Sequence, residues 1–168
     1  MFVLGIDPGL TRCGFGAVVR STSGTHRLRA VTAGVLETDP SWPLDRRLGV
    51  LQADLEALID ELQPQVMVVE RIFFQANARS AVSVAQASGL ALALASRRGI
   101  ETAQYSPNEV KLAAAGSGSA TKAQVQDMVV RLLGLTGTPK PADAADALAL
   151  AICHHAGLRL RAAVAVAR

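Results

Sequence analysis

Cysteine is almost absent: Cys13 and Cys153 are the only two in 168 residues, 140 positions apart and with no CxxC pairing. That excludes a disulfide scaffold and a thiolate zinc site, and it suits a reducing compartment. No apolar run approaches the roughly 18 residues of a membrane span. The most apolar stretches, 81–95 and 144–153, are broken by Ser83, Gln86, Ser88 and Asp146. The opening run Phe2–Ile6 is short, lacks a basic region before it and meets Asp7, so no signal peptide is expected. A soluble, cytoplasmic protein with no membrane contact is the expectation. Neither sign of charge dominates, with 17 Lys plus Arg against 14 Asp plus Glu, a net +3. This permits a polyanionic partner without requiring one. Lysine is scarce, three against fourteen arginines; genome composition alone can produce that bias.

What is present is a core. Half the residues are apolar and the mean hydropathy is +0.29, which excludes disorder across the chain. At roughly 150 residues per domain, the length gives one, with no internal repeat. It is placed at 1–157, leaving an Arg/Ala-rich tail at 158–168 that is expected to fray. Three strands come first, at Phe2–Asp7, Cys13–Arg20 and Leu28–Glu37. Pro8-Gly9 and the turn Ser21–Thr25 separate them, so they pair as an antiparallel meander. The period then changes. Leu44, Leu48, Leu51, Leu55, Leu58 and Leu62 form one helical stripe, ended by Pro64. Val66–Val69 is a strand covered on both faces, closing at Glu70. A helix over about 78–98 carries Ala78, Ala81, Ala85, Ser88 and Gly89 on roughly one side, a face suited to the core or to a two-fold interface. A strand at Ile100–Tyr105 follows. Ser106-Pro107-Asn108-Glu109 is a capping box that opens a short helix. Gly116–Ser119 reads as a flexible loop, and Thr121 starts a helix running to Leu133. Beyond a Gly/Pro/Thr linker, the last helix covers about Ala142–His155. A meander followed by βαβ units gives an α/β fold: a mixed five-stranded sheet flanked by helices on both faces. That order resembles the ribonuclease H-like arrangement.

Four acids stand out by position. Asp7 and Glu70 each close an apolar strand, at the sheet end where ligand sites gather in α/β folds. Charge there is costly unless something neutralises it. The bland alternative is that each begins a solvated loop. Asp143 and Asp146, spaced i, i+3, project from one face of an otherwise alanine- and leucine-rich helix. Asp143 equally suits a capping or first-turn role, and Asp146 a solvated one. Carboxylates from distant segments suit hard divalent cations. Two such ions about 3.5–4 Å apart can activate water and stabilise the leaving oxygen of a phosphodiester. His154 and His155 read as surface or helix-end residues rather than ligands.

Four segments together carry a family resemblance: Gly5-Ile6-Asp7-Pro8-Gly9, Val69-Glu70-Arg71-Ile72-Phe73, Gly116-Ser117-Gly118-Ser119-Ala120-Thr121-Lys122, and Ala142-Asp143-Ala144-Ala145-Asp146-Ala147-Leu148-Ala149. In order and spacing, from Met1 to about His155, the chain resembles the bacterial RuvC family of Holliday-junction resolvases. The resemblance implies a homodimeric, metal-dependent endonuclease that nicks two opposed strands of a four-way DNA junction in recombination and repair. It uses Mg²⁺, with Mn²⁺ able to substitute and two ions per site, and partners with the branch-migration proteins RuvA and RuvB. The family's acids map onto Asp7, Glu70, Asp143 and Asp146. Its aromatic DNA contact maps onto Phe73, and its basic contacts onto Lys111 and Lys122.

The residues fit those roles physically. Phe73 and Phe74 are half the phenylalanines and lie in a polar loop beside Glu70. An exposed aromatic can stack on an unpaired base, whereas Phe74 reads as packing under the loop. Lys111 and Lys122 bracket the Gly/Ser loop, whose N–H groups can approach a phosphate backbone. Three other readings compete. An actin-like sugar kinase would need a second phosphate loop in a repeat of the fold. A ribonuclease H-fold nuclease acting on other nucleic acid and a non-catalytic junction-binding protein are the others.

Overall fold

The apolar runs and the capping signals fold where their periods place them. The structure, a computed structural model, describes the backbone of residues 1–21, 26–72 and 78–166. Side chains are described over the same segments except 78–80 and 159–166. The strands are β1 (Phe2–Asp7), β2 (Arg12–Arg20), β3 (Leu28–Glu37), β4 (Val66–Glu70) and β5 (Glu101–Tyr105). The helices are α1 (Leu44–Leu62), α2 (Ala78–Arg97), α3 (Pro107–Ala115), α4 (Lys122–Leu133) and α5 (Ala142–Val166). The sheet order is β3-β2-β1-β4-β5. β1 and β2, and β2 and β3, pair antiparallel; β1 with β4 and β4 with β5 are parallel. The expected mixed sheet is therefore the one found.

Strand side chains alternate between faces, and two cores result. Leu4, Ile6, Met67 and Val69 pack under α1 and α2, with Leu51, Leu55, Ala87, Ala91 and Leu94. Val3, Val18, Val66 and Val68 pack on the other face with α3, α4 and α5. The helix ends follow local chemistry. Ser106 with Glu109, and Thr121 with Gln124, make reciprocal capping boxes, and Gly116 and Gly134 close α3 and α4 in the left-handed conformation.

Three expectations change. The Gly116–Ser119 loop is an ordered turn, with Ser117 Oγ 2.9 Å from Ser119 Oγ and the Ala120 N–H donating to the Ser117 carbonyl at 3.2 Å. The core face of α2 is Ala87, Ser88, Ala91, Leu94 and Ala95, offset from the expected stripe; Gly89 stays exposed. The helix expected to stop near His155 continues to Val166. Ala144, Ala145 and every residue from Ala147 to His155 are buried, so no polar face marks an end at His155.

Candidate active site

Strand parity brings the acids together. Val3 and Val18 face α5, so by the period of two Gly5 and Asp7 on β1, and Gly14 and Gly16 on β2, face it too. Val66 and Val68 likewise put Glu70 on that face. Ile6 pairs with Val69, so Asp7 and Glu70 end neighbouring parallel strands side by side. Across the antiparallel ladder, Asp7 stands opposite Gly14 and Gly5 opposite Gly16.

Those three glycines form the seat of α5. A Cβ at Gly5 would lie 2.1 Å from the Ala147 carbonyl oxygen, one at Gly16 2.6 Å from the Leu148 nitrogen, and one at Gly14 2.3 Å from the Asp143 carbonyl oxygen. Only hydrogen fits there. Small residues on both surfaces let the helix lie against the strands, and that contact delivers Asp143 and Asp146 beside Asp7. Gly14→Ala is therefore expected to displace the start of α5. It should cost about 1–3 kcal/mol in a denaturant melt. A displacement near 1 Å should also slow any reaction that depends on the four acids about a hundredfold. Gly49→Ala on α1, where nothing lies within 4 Å, should instead be neutral or stabilising by up to about 1 kcal/mol.

The electrostatics show a site short of positive charge. The Asp7 carboxyl is pushed up from 3.8 to about 7, first by burial and then by Glu70, Asp146 and Asp143; Lys122 opposes the shift. Burial, then Asp146, also raises Glu70, again against Lys122. The Lys122 ammonium lies 2.5 Å from Asp146 Oδ2, and that hydrogen bond raises its own pKa. Arg12 donates to Asp143 Oδ2 from Nε at 3.1 Å, and its Nη2 pairs with the same oxygen at 2.9 Å. Among the described residues the carboxylates are not closed into a three-ligand cage; one base holds each acid of α5. The donor set is all carboxylate oxygen around a deficit of positive charge, which fits a hard divalent cation.

Each expected residue can now be placed. Asp7, Glu70, Asp143 and Asp146 converge at one sheet end. Asp143 is not a cap: among the described residues its carboxylate is held by Arg12 and takes no backbone N–H. Lys122 opens α4 directly beside the acids. Lys111 is partly buried on α3, on the other side of the Gly116–Ser119 turn. Phe73 and Phe74 lie outside the described residues. The histidines are corrected: His154 and His155 are each only 2% exposed. They sit mid-helix, at the end of a stretch of α5 buried on every side from Ala147 to His155, not at the surface or end of the helix. His154 Nδ1 is 3.1 Å from the Tyr105 hydroxyl, and His155 Nε2 donates to the Val18 carbonyl at 3.4 Å. Burial holds the His155 pKa down, so it packs as a neutral ring. Arg12 is a site residue to which the sequence does not point. A lone arginine opening a strand has no spacing signal, and only the β2–α5 packing brings it to Asp143.

A ribonuclease H-like sheet with acidic residues gathered where β1 and β4 end is the architecture of a class of metal-dependent nucleases. Within that class the chain belongs to the RuvC family of crossover junction endodeoxyribonucleases, whose family model matches residues 3–154. Enzymes of this family are metal-dependent endonucleases acting on Holliday junctions. The RuvC of Frankia casuarinae is 49% identical over 156 residues, covering 92% of this chain and 88% of that one. The RuvC of Streptomyces coelicolor is 52% identical over 154 residues, covering 92% and 81%. The Thermus thermophilus RuvC structure superposes with TM-score 0.87 at 36% identity, covering 95% of this chain and 96% of that one; a structure of the same protein in complex with Holliday junction substrate matches equally. The yeast mitochondrial Holliday junction resolvase, at 16% identity and TM-score 0.64, shares the fold, with 92% and 78% covered.

Proposed function

We propose that Asp7, Glu70, Asp143 and Asp146 are the cleavage centre of this resolvase. They would hold Mg²⁺, with Mn²⁺ able to substitute, as two ions per site. The supporting observation is the convergence of all four on the α5 face of one sheet end, where Asp7 is pushed up to about 7 by burial and its acidic neighbours. Bound divalent cations supply activation of a water and stabilisation of the leaving oxygen. The chain's own groups do the rest. Asp7 and Glu70 are fixed by the pairing of β1 with β4, and Asp143 and Asp146 by the glycine seat under α5. Lys122 offsets their charge, so that a phosphodiester can approach four carboxylates.

DNA binding is assigned to Lys111 and Lys122 flanking the ordered Gly116–Ser119 turn, whose N–H groups can meet phosphate oxygens, and to Phe73, which would stack on an unpaired base. Two opposed nicks in a symmetric junction fit a C2 homodimer. Exposed Val82, at 56%, and exposed Gly89 leave part of the α2 surface outside the core. Association with RuvA and RuvB, and action in the cytoplasm, complete the proposal. Among the described residues, no helix is long and apolar enough to cross a membrane.

The test compares a four-way junction, a linear duplex and an RNA–DNA hybrid of matched sequence. Paired nicks in the junction are expected, with the other two cut poorly. Equal cutting of the hybrid would favour a general ribonuclease H-fold nuclease, and binding without cutting a junction-binding protein. On the junction, Phe73→Ala is expected to lose about ten- to a hundredfold in cleavage, equivalent to about 1–3 kcal/mol of stacking. A junction with an unpaired centre should recover part of that loss, because less unstacking remains to be offset. Equal loss on both junctions would point to damaged geometry at Glu70 instead.

A further inference from the structure

We propose that Arg12 is a positioning residue for the cleavage reaction: it fixes the Asp143 carboxylate by one oxygen and leaves the other to take the cation. This rests on the assignment of the four carboxylates as the cation site. The geometry starts from parity. Arg12 opens β2 and shares a face with Gly14 and Gly16, the two residues against which α5 lies. The missing Cβ of Gly14 brings the Asp143 backbone onto β2, so the Arg12 side chain, two residues away on that face, reaches the Asp143 carboxylate. Two of its nitrogens meet a single atom: Nε donates to Oδ2 at 3.1 Å and Nη2 lies 2.9 Å from the same oxygen as an ion pair.

An aspartate carboxylate has a broad, roughly two-fold preference about its last torsion. Left alone, it would present either oxygen over a range of angles. A planar guanidinium with fixed donors removes that freedom, which a flexible ammonium does not. The guanidinium also faces an acid on β3. Its Nη1 lies 3.8 Å from Oε1 of Glu37, the cross-strand partner of Arg12. The preceding residue, Thr11, accepts the Thr38 N–H at 3.1 Å on its carbonyl and the Arg47 Nη2 at 2.7 Å on its hydroxyl. Glu37, Arg12 and Asp143 thus form a chain across β3, β2 and α5 that ends at the site. Arg12 is 43% exposed and adds little to the core, so its cost in stability is small. Its role is in presenting a ligand.

The experiment measures Mn²⁺ binding directly, by electron paramagnetic resonance titration of free Mn²⁺, for wild type, Arg12→Gln, Arg12→Lys and Glu70→Gln. Junction affinity with Ca²⁺ and thermal melting accompany it. Arg12→Gln is expected to stay folded, to bind junction as wild type does and to bind Mn²⁺ about 10–100-fold more weakly. Arg12→Lys should recover only part of that affinity, because one ammonium cannot reproduce the planar contact made by Nε and Nη2 together. Should Arg12→Gln fail to fold, Arg12→Lys carries the same test. Full recovery in Arg12→Lys would overturn positioning in favour of simple charge. Tighter Mn²⁺ binding in Arg12→Gln would show that Arg12 competes with the cation. Lost junction affinity with unchanged Mn²⁺ binding would make Arg12 a DNA contact, and overturns the proposal equally. If wild type binds Mn²⁺, Glu70→Gln does not and Arg12→Gln matches wild type, the Arg12 inference alone fails. If wild type binds none, the reading of the carboxylates fails and takes this one with it.

Discussion

At pH 8 and without divalent metal, Asp7→Asn is expected to melt higher than wild type, while cutting no junction when Mg²⁺ is restored. The two effects have one cause. The Asp7 carboxyl is pushed from 3.8 to about 7 by burial and by Glu70, Asp146 and Asp143, so its ionised form is disfavoured in the folded state. A carboxyl whose folded pKa lies above its unfolded value contributes stability that is fully present below about pH 4. That contribution is lost as pH rises through about 7. At pH 8 the folded protein therefore carries the whole strain of an ionised Asp7. The shift corresponds to about 4 kcal/mol, of which an amide that must itself be buried should recover about half. That is about 2 kcal/mol, or roughly 4–8 °C in a chain of this size. The advantage should fade as the pH is lowered toward 5. His155 titrates with the opposite sign, its pKa being held down by burial. It is common to both proteins, so the difference between their melting curves isolates Asp7. Cleavage is lost because an amide cannot supply the charged oxygen that the cation requires.

Lys122→Gln is expected to act in the reverse direction on stability. Lys122 is the positive group that opposes the raised pKa of both Asp7 and Glu70, and it holds Asp146 Oδ2. Without it those carboxyls are pushed further up, and the metal-free protein at pH 8 should lose about 1 kcal/mol, the upper range for a partly exposed pair. Cleavage should fall about a hundredfold, the usual cost of losing one preorganised group that stabilises negative charge. Melting at pH 8 and single-turnover junction cleavage check both. A lysine serving only as a phosphate contact would leave the melt unchanged. It would lower junction affinity and reduce the salt slope by about one.

Much of this site is legible in the sequence. Asp7 and Glu70 announce themselves as charges closing apolar strands, and Asp143 and Asp146 as the two acids on an otherwise apolar helix. The strands and helices fall almost where hydrophobic period, Pro64 and the Ser106 and Thr121 caps place them, because local chemistry and tertiary packing agree there. What stays hidden depends on register. Gly5, Gly14 and Gly16 look like ordinary strand glycines until β1 and β2 are paired and α5 is laid on them. Arg12 reaches Asp143 only through that packing. His154 and His155 mislead for the same reason: polar residues near an apparent helix end suggest exposure, but α5 packs against all five strands and against α3 and α4, and runs on to Val166.

The most direct measurement sets junction cleavage against junction binding for Glu70→Gln beside wild type, in Mg²⁺, with binding also followed in Ca²⁺. Glu70 is the acid supplied by β4 alone, and no ion pair holds its side chain among the described residues. Its loss should therefore remove chemistry and leave the fold and the DNA-binding surface in place. The expected result is cleavage reduced by at least about a thousandfold, several kcal/mol of barrier, with junction affinity within about twofold of wild type. Wild-type nicking by Glu70→Gln would contradict the assignment of this carboxylate cluster as the cleavage centre.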